Sequence, residues 1–375
     1  MRTIALVSDA YGGRGGVALY NRNFLKALSA FPGMEEVIAA PRGITYELEE
    51  MPENLTYLTN SAGGKLTYLW TCLKLALFGK RADLIICGHL HLLPFAYLLK
   101  LCHRCPVIPL TYGVEAWTPT AHGSANWLCR KLDGFISIRK LTAGRLKQWA
   151  EIESAKFYYL PNCIDEEQYG VAPKRQDLVE KFGLENRKVV MIAGRMDSIE
   201  FDRRKGFDEI IEVLPELRLQ VPDVVCLIVG DGDDKARLEQ KAKELAVDDI
   251  VRFAGYVSDA EKADYYRLGD VFAMPGSNPI FDRYPFRFVF LEALACGVPV
   301  VACKLEDQSE ADDADAKALI IQVDPNDQQS IITGILKGFS QPEKRVPEEM
   351  RNYFFDAFEE NVHLSVSEIL ELKNE

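Results

Sequence analysis

The stretch Tyr284-Pro285-Phe286-Arg287-Phe288-Val289-Phe290-Leu291-Glu292-Ala293-Leu294-Ala295-Cys296-Gly297-Val298-Pro299-Val300-Val301-Ala302 decides how this chain folds. A polar loop, 275–283, feeds a short helical stretch that carries one acid, Glu292, among apolar neighbours. Cys296-Gly297 predicts its stop, because glycine tolerates the left-handed conformation that a helix end needs. Pro299 then opens an apolar strand, 298–302, that reads as buried. A strand-end loop leading into a helix start gathers backbone N–H groups toward one point, which suits an anion. A carboxylate one or two turns further in cannot bind that anion as well and is better suited to accept from hydroxyls. Phosphate plus sugar hydroxyls is a ligand that fits both.

Outward from this stretch, short apolar runs alternate with helical patterns. Residues 3–7 predict a strand and 17–28 a helix, and further strands are predicted over 83–87, 106–110, 135–138 and 157–160. After a polar, turn-like segment at 162–169 the pattern restarts, with strands at 188–193, 224–229, 250–253, 271–274 and 298–302. Strands alternating with helices imply parallel sheets closed by right-handed crossovers. The expected fold is therefore α/β, with two doubly wound domains whose strand ends face each other across a ligand cleft. The expected boundaries are 1–165 and 166–345. A helical segment, 346–375, is taken to pack back on the first domain, although spacing alone leaves that open.

The 375 residues are 48% hydrophobic and 27% charged, which is the composition of a globular protein rather than a disordered one. The net charge is −12, unevenly placed: residues 1–162 hold 18 basic and 12 acidic side chains (+6), leaving 26 and 44 (−18) for the rest. A basic first half suggests an anionic partner, and chance together with solubility is the competing explanation. The overall acidity and the lack of a basic-aromatic stripe argue against nucleic acid.

Nine cysteines in mostly apolar contexts suit buried thiols in a reducing compartment. Cys102-His103-Arg104-Cys105 has the spacing of half a zinc site, but no second pair follows, so no metal is expected. Residues 1–7 run straight into a Gly-rich turn and are too short for a signal peptide. The apolar stretch 84–102 is interrupted by His89, His91, Pro94 and Lys100, and predicts a buried strand and helix rather than a membrane span.

Four further motifs sit at predicted strand ends. Tyr11-Gly12-Gly13-Arg14-Gly15-Gly16 follows the first strand, where glycines allow a ligand close to the backbone. Its spacing is not Gly-x-Gly-x-x-Gly, and no ribose-binding acid follows, which argues against a dinucleotide oxidoreductase. Gly194-Arg195 ends one strand, and Arg203-Arg204-Lys205-Gly206 precedes the next helix. Cations at the two ends of one loop suit a pyrophosphate, and would neutralise a departing diphosphate. The acids of Gly230-Asp231-Gly232-Asp233-Asp234 read as caps for a helix over 235–245. Residues 252–257 suit the lining of a base pocket. His89, His91 and His122 read as core or surface residues, with no Ser/His/Asp arrangement to recruit them.

Taken together, Gly15-Gly16, Gly194-Arg195-Met196, Arg204-Lys205-Gly206-Phe207, Leu227-Ile228-Val229-Gly230-Asp231-Gly232, Phe253-Ala254-Gly255-Tyr256-Val257 and residues 290–301 give a resemblance. The chain resembles the retaining glycosyltransferases of family 4, which have the GT-B architecture of two facing doubly wound domains. The resemblance implies that Arg195 and Lys205 hold the donor diphosphate, and that Glu292 takes the ribose hydroxyls. Tyr256 and Val257 would border the base, while Gly15 and Gly16 would let the first domain approach the diphosphate. Amides at Phe288 and Val289 would add phosphate contacts, and no divalent metal or other cofactor would be needed.

Two departures from the family pattern concern the sugar. Where relatives have a first glutamate and Gly-Phe-Gly, this chain has Tyr284 and then Pro285-Phe286-Arg287, so the donor-side residues here are Tyr284, Phe286 and Arg287. Where relatives often have a histidine near the reacting sugar, this chain has Tyr112, with Glu115 close by. The resemblance implies a cytoplasmic enzyme that uses a UDP- or GDP-sugar to extend a glycan or lipid-linked saccharide in cell-surface polysaccharide or glycoconjugate synthesis. The basic first half, with apolar helices such as 66–78, extends the expectation to an anionic inner membrane face. The alternative, prompted by Tyr284 and Arg287, is a non-catalytic nucleotide-sugar-binding partner subunit.

Overall fold

Each strand expected above is present in one of two parallel sheets, and the chain divides into two units. The structure is a computed structural model that describes residues 1–132, 134–196, 205–276, 288–304, 318–341 and 344–371. Tyr284, Phe286 and Arg287, together with Arg203 and Arg204, lie outside the described residues.

The first unit comprises Met1–Cys163 and Phe355–Glu375. Its strands are β1 (Arg2–Val7), β2 (Glu36–Pro41), β3 (Leu55–Tyr57), β4 (Leu84–Gly88), β5 (Val107–Thr111), β6 (Gly134–Ser137) and β7 (Lys156–Tyr159), in the order β3-β2-β1-β4-β5-β6-β7. Helices α1 (Gly16–Ser29), α2 (Lys65–Phe78), α3 (Leu93–His103), α4 (Gly123–Cys129) and α5 (Lys140–Ala150) join them. The C-terminal helix, Phe355–Glu371, packs on α1. Its Phe358 ring meets Tyr20 edge-on at 5.7 Å, and its His363 Nε2 lies 2.9 Å from the Ala27 carbonyl oxygen.

The second unit is Ile164–Phe354. It contains α6 (Gln176–Phe182), β8 (Lys188–Ala193), α7 (Phe207–Gln220), β9 (Val224–Val229), α8 (Lys235–Glu244), β10 (Val251–Gly255), α9 (Lys262–Leu268), β11 (Val271–Met274), α10 (Phe288–Ala295), β12 (Val300–Cys303) and β13 (Ile320–Val323). The strand order is β10-β9-β8-β11-β12-β13. All six residues of β9 are buried, as expected of a strand covered by helices on both faces. Each such aliphatic side chain contributes roughly 1.5–3 kcal/mol by leaving water.

The glycine after α10 does what its position predicts. Gly297 has φ 70°, and Val298 N–H reaches back to the Ala293 carbonyl at 3.0 Å, closing the helix end. The apolar stretch 84–102 resolves into β4 and α3, and among the described residues no helix is long and apolar enough to cross a membrane. His103 carries no sign of a zinc role. Its Nδ1 accepts the Ala82 N–H at 3.1 Å and its Nε2 lies 3.0 Å from the Leu75 carbonyl, which assigns the proton to Nε2. Burial pushes the thiols of Cys72, Cys87, Cys129 and Cys226 up to about 12, the behaviour of inert core cysteines.

In each sheet the strand order reverses once, between β1 and β4 in the first and between β8 and β11 in the second. Ligands of doubly wound sheets bind beyond the carboxyl ends of the strands at such a point.

Candidate functional site

In the second unit the switch point brings Lys205 to the backbone of Arg195. Gly194 and Arg195 leave the end of β8, and Lys205 and Gly206 lead into α7. The Lys205 ammonium donates to the Arg195 carbonyl oxygen at 2.7 Å, so the two ends of the loop converge. The Arg195 side chain is exposed and that of Lys205 half-buried. Gly206, with φ 104°, is pressed so close to Pro275 and Gly276 beyond β11 that a Cβ there would collide with backbone. The lysine is thus held beside the end of β11, across the switch point.

The turn after β9 braces this arrangement. Gly194 N–H bonds the Val229 carbonyl at 2.9 Å, Met196 N–H the Asp231 carbonyl at 2.9 Å, and Asp234 N–H the Met196 carbonyl at 3.0 Å. Gly230 and Gly232 have φ 130° and 155°, and a Cβ on either would overlap a carbonyl oxygen of the Gly194–Met196 segment. The expectation that these acids cap the following helix is corrected at Asp234. It stands at the N-cap of α8 but makes no side-chain cap bond. Its carboxylate is taken by Arg237, with Oδ1 2.8 Å from Nε, and Arg237 also grips Asp208. A guanidinium offering two parallel donors outcompetes a single backbone N–H.

Glu292 sits on α10, only 2% exposed. A buried carboxylate must find donors, and these come from far away in sequence. Tyr169 O–H donates to Oε1 at 3.0 Å and Tyr266 O–H to Oε2 at 2.6 Å. Burial, then the Glu292 charge, pushes both phenols well above their ordinary range. Lys262 stands 3.7 Å from Oε1 and 2.6 Å from Asp259. Burial opposes its charge, but Glu292 and Asp259 outweigh that and hold its pKa above the ordinary value. The hydroxyls that Glu292 was expected to meet are therefore, in this structure, those of two tyrosines. A carboxylate has about four acceptor positions, so each oxygen keeps one for a further donor.

Phe288 and Val289 open α10, where the leading N–H groups have no acceptor within the helix. Beyond β10, Tyr256 is exposed and Val257 buried. Arg252 does not join them: it donates to the carbonyls of Phe182, Asp249 and Val251. Tyr169, Tyr266 and Lys262 are site residues the sequence did not reveal. Each lies in an ordinary loop or helix context, and only the tertiary packing aims it at Glu292.

In the first unit, Gly15 has φ 93° and precedes α1 without a side-chain cap, with open space where its Cβ would be. Gly16 begins the helix, and both glycines are exposed beyond the end of β1. Tyr112, beyond β5, is buried. Its hydroxyl lies 2.6 Å from Asn21 Oδ1 and 2.8 Å from the Gly88 carbonyl oxygen, which ties α1 to the end of β4. Glu115 Oε1 accepts the N–H groups of Tyr112 and Gly113 at 2.5 and 3.1 Å, and burial raises its pKa. His89, His91 and His122 form a chain of rings with centroids 4.6 and 4.8 Å apart. Among the described residues no group of three or more His, Cys, Asp or Glu is arranged to hold a metal ion.

The chain is similar to known proteins in sequence and in fold. Residues 187–340 match the family model for glycosyl transferases group 1. Over 220 residues the chain is 33% identical to the GDP-mannose-dependent alpha-(1-6)-phosphatidylinositol monomannoside mannosyltransferase of Mycolicibacterium smegmatis, a match covering 56% of each protein. It therefore spans little more than half the length of that relative. A Corynebacterium glutamicum mannosyltransferase acting on a monoacylated phosphatidylinositol monomannoside is 24% identical over 80% of each chain. Among solved structures, Anabaena HepE in complex with UDP superposes with a TM-score of 0.71 over 98% of this chain and 100% of its own, at 19% identity. Sucrose-phosphate synthase of Thermosynechococcus elongatus gives 0.73 over 99% and 100%, at 17%. With two parallel-sheet units and these likenesses among solved structures, the chain has the GT-B fold, and its second unit carries the match to glycosyl transferases group 1.

Proposed function

We propose that this protein transfers a sugar, with retention of anomeric configuration, from a nucleotide-sugar donor to a saccharide or lipid-linked acceptor. The observation that carries the reading is the bond from the Lys205 ammonium to the Arg195 carbonyl, which sets both residues at the carboxyl end of β8, beside the switch point. Two cations at that strand end suit a diphosphate, and would act most strongly on the charge that develops as it departs. The open amides of α10 add donors for phosphate oxygens. Glu292, oriented by Tyr169 and Tyr266, offers its remaining acceptor positions to ribose hydroxyls, with Tyr256 and Val257 beside the base.

No carboxylate in the described site is placed as an evident nucleophile, which favours attack by the acceptor hydroxyl on the face the diphosphate leaves. Rate then depends on charge stabilisation and positioning. The named relatives direct the choice of substrates: GDP-mannose as first donor to try, and a phosphatidylinositol mannoside as first lipid acceptor. UDP-glucose is the natural comparison. Because Arg195 and Lys205 supply the positive charge, a chelator is expected to leave turnover unchanged.

The test is a thermal-shift series with GDP, UDP and their sugars, followed by NMR of the anomeric proton in the transfer product. A stabilising nucleotide and a product of retained configuration are expected. Failure of every nucleotide to raise the melting point would remove the reading. Binding without hydrolysis or transfer would instead leave a nucleotide-sugar-binding partner subunit.

A further inference from the structure

We propose that the outer face of α2 is a docking surface for an anionic lipid bilayer. The inference extends the lipid-linked acceptor reading above, but it stands on its own observations.

Helix α2 is apolar on both sides. Tyr68, Cys72, Leu75 and Ala76 are buried against the first unit. On the opposite side Leu66, Trp70, Leu77 and Phe78 are 81%, 59%, 65% and 82% exposed, and Leu69 is exposed as well. Leu66, Leu69, Trp70 and Leu77 stand at i, i+3, i+4 and i+11, which puts them on one stripe of the helix. Single exposed apolar residues need no explanation, but five large ones on a fourteen-residue helix form a patch that marks an interaction site. The helix that presents them is anchored: His103 Nε2 holds the Leu75 carbonyl, and Tyr68 packs edge-on against Phe95 of α3 at 5.4 Å.

Charge selects the occupant. Lys65, Lys74, Lys80 and Arg81 are exposed on or just after α2, and no acid occurs between Asn54 and Ala82. Residues 54–132 carry 8 basic and 2 acidic side chains, in a chain whose net charge is −12. A second copy packed symmetrically on this face would gather both sets of four cations into one interface that no acid of 54–82 offsets. An anionic bilayer accepts both halves of the pattern, with headgroups for the cations and hydrocarbon for the apolar stripe. Trp70, with the Lys74 ammonium 5.9 Å from its ring centre, is suited to the interface itself. Fourteen residues reach about 21 Å, short of the roughly 30 Å hydrocarbon core, so the helix lies along the surface rather than crossing it.

The experiment is flotation of the full chain with phosphatidylcholine vesicles with and without phosphatidylglycerol, in the absence of donor and acceptor. Binding to the anionic vesicles only, weakened by salt, is expected. Trp70→Glu/Phe78→Glu should abolish it, and Lys74→Gln/Lys80→Gln should weaken it by roughly tenfold to thirtyfold. These side chains are exposed, so circular dichroism and the nucleotide thermal shift should stay as in the parent. Failure of the parent to float, equal flotation with both vesicles, or unchanged flotation of the variants would overturn the proposal. So would light scattering that showed a parent dimer converted to monomer by Trp70→Glu/Phe78→Glu. Because the vesicles contain neither substrate, flotation without any nucleotide shift would sink the proposed function alone, and the reverse would sink this surface alone.

Discussion

The Tyr266 hydroxyl donates to the Glu292 carboxylate at 2.6 Å, in a site where the carboxylate is almost wholly removed from water. Removing that donor leaves a buried acceptor short of a partner, which costs about 1–3 kcal/mol. Tyr266→Phe should therefore lower the thermal midpoint and also weaken nucleoside diphosphate binding, since the carboxylate loses its orientation. Tyr256→Phe, at an exposed phenol, should leave the midpoint in place. Calorimetry with titration of the nucleotide would check both, and unaltered affinity in Tyr266→Phe would detach Glu292 from the ligand.

Arg195→Ala and Lys205→Ala should each cut turnover by about 10²–10³-fold, the scale of removing one preorganised charge donor. Stability should change little in Arg195→Ala, whose side chain is exposed, and by about 1 kcal/mol in Lys205→Ala, which loses its bond to the Arg195 carbonyl. Steady-state kinetics beside urea melts separates the two effects. Near-normal transfer by both variants would show that these cations do not serve the departing diphosphate.

The turn after β9 offers a backbone test. Gly230→Ala must push its methyl into the Gly194 carbonyl and also adopt an unfavourable φ, so a loss of about 1–3 kcal/mol and of nucleotide binding is expected. Gly15→Ala meets open space and bears only the cost of its φ of 93° and ψ of 177°, so it should lose less than Gly230→Ala, which bears a backbone collision as well. Equal losses in the two variants, read from urea midpoints, would show that the β8–β9 contact does not shape the site.

Burial, helped by the neighbouring His91, pushes the His89 imidazole down to about 4 from an ordinary 6.5. The fold thus favours the neutral ring. That preference is fully present above pH 6.5 and is lost as pH falls toward 4, because the unfolded chain binds the proton first. The loss amounts to at most about 3 kcal/mol. His89→Asn keeps an acceptor for the His91 N–H, at 3.2 Å in the parent, but cannot titrate. Its stability should fall less than the parent's between pH 6.5 and 4, as read from urea melts. Parallel pH profiles would refute the role of His89.

Much of the fold was legible because its strands are fully buried and punctuated by glycine or proline. Residues 188–193, 224–229 and 271–274 coincide with β8, β9 and β11 to the residue. β2, β3 and β13 escaped notice. β3 has three residues and ends the sheet, and an edge position asks for less apolar sequence than a central one. The loop of Arg195 and Lys205 was legible as a cationic strand end. Its closure was not, because the bond joins an ammonium to a backbone carbonyl, and backbone has no signature in sequence.

Local pattern therefore determined two runs of alternating strands and helices, the glycines of their first turns, and an acid inside a short apolar helix. Tertiary structure alone decided that Tyr169, 123 residues from Glu292, would share its carboxylate with Tyr266, and that Arg237, paired with Asp234 at the start of its own helix, would also grip Asp208 on α7. It also decided which side of α2 meets the core. A helix apolar all round carries no periodic signal to choose a face, and only the sheet it packs against breaks that symmetry.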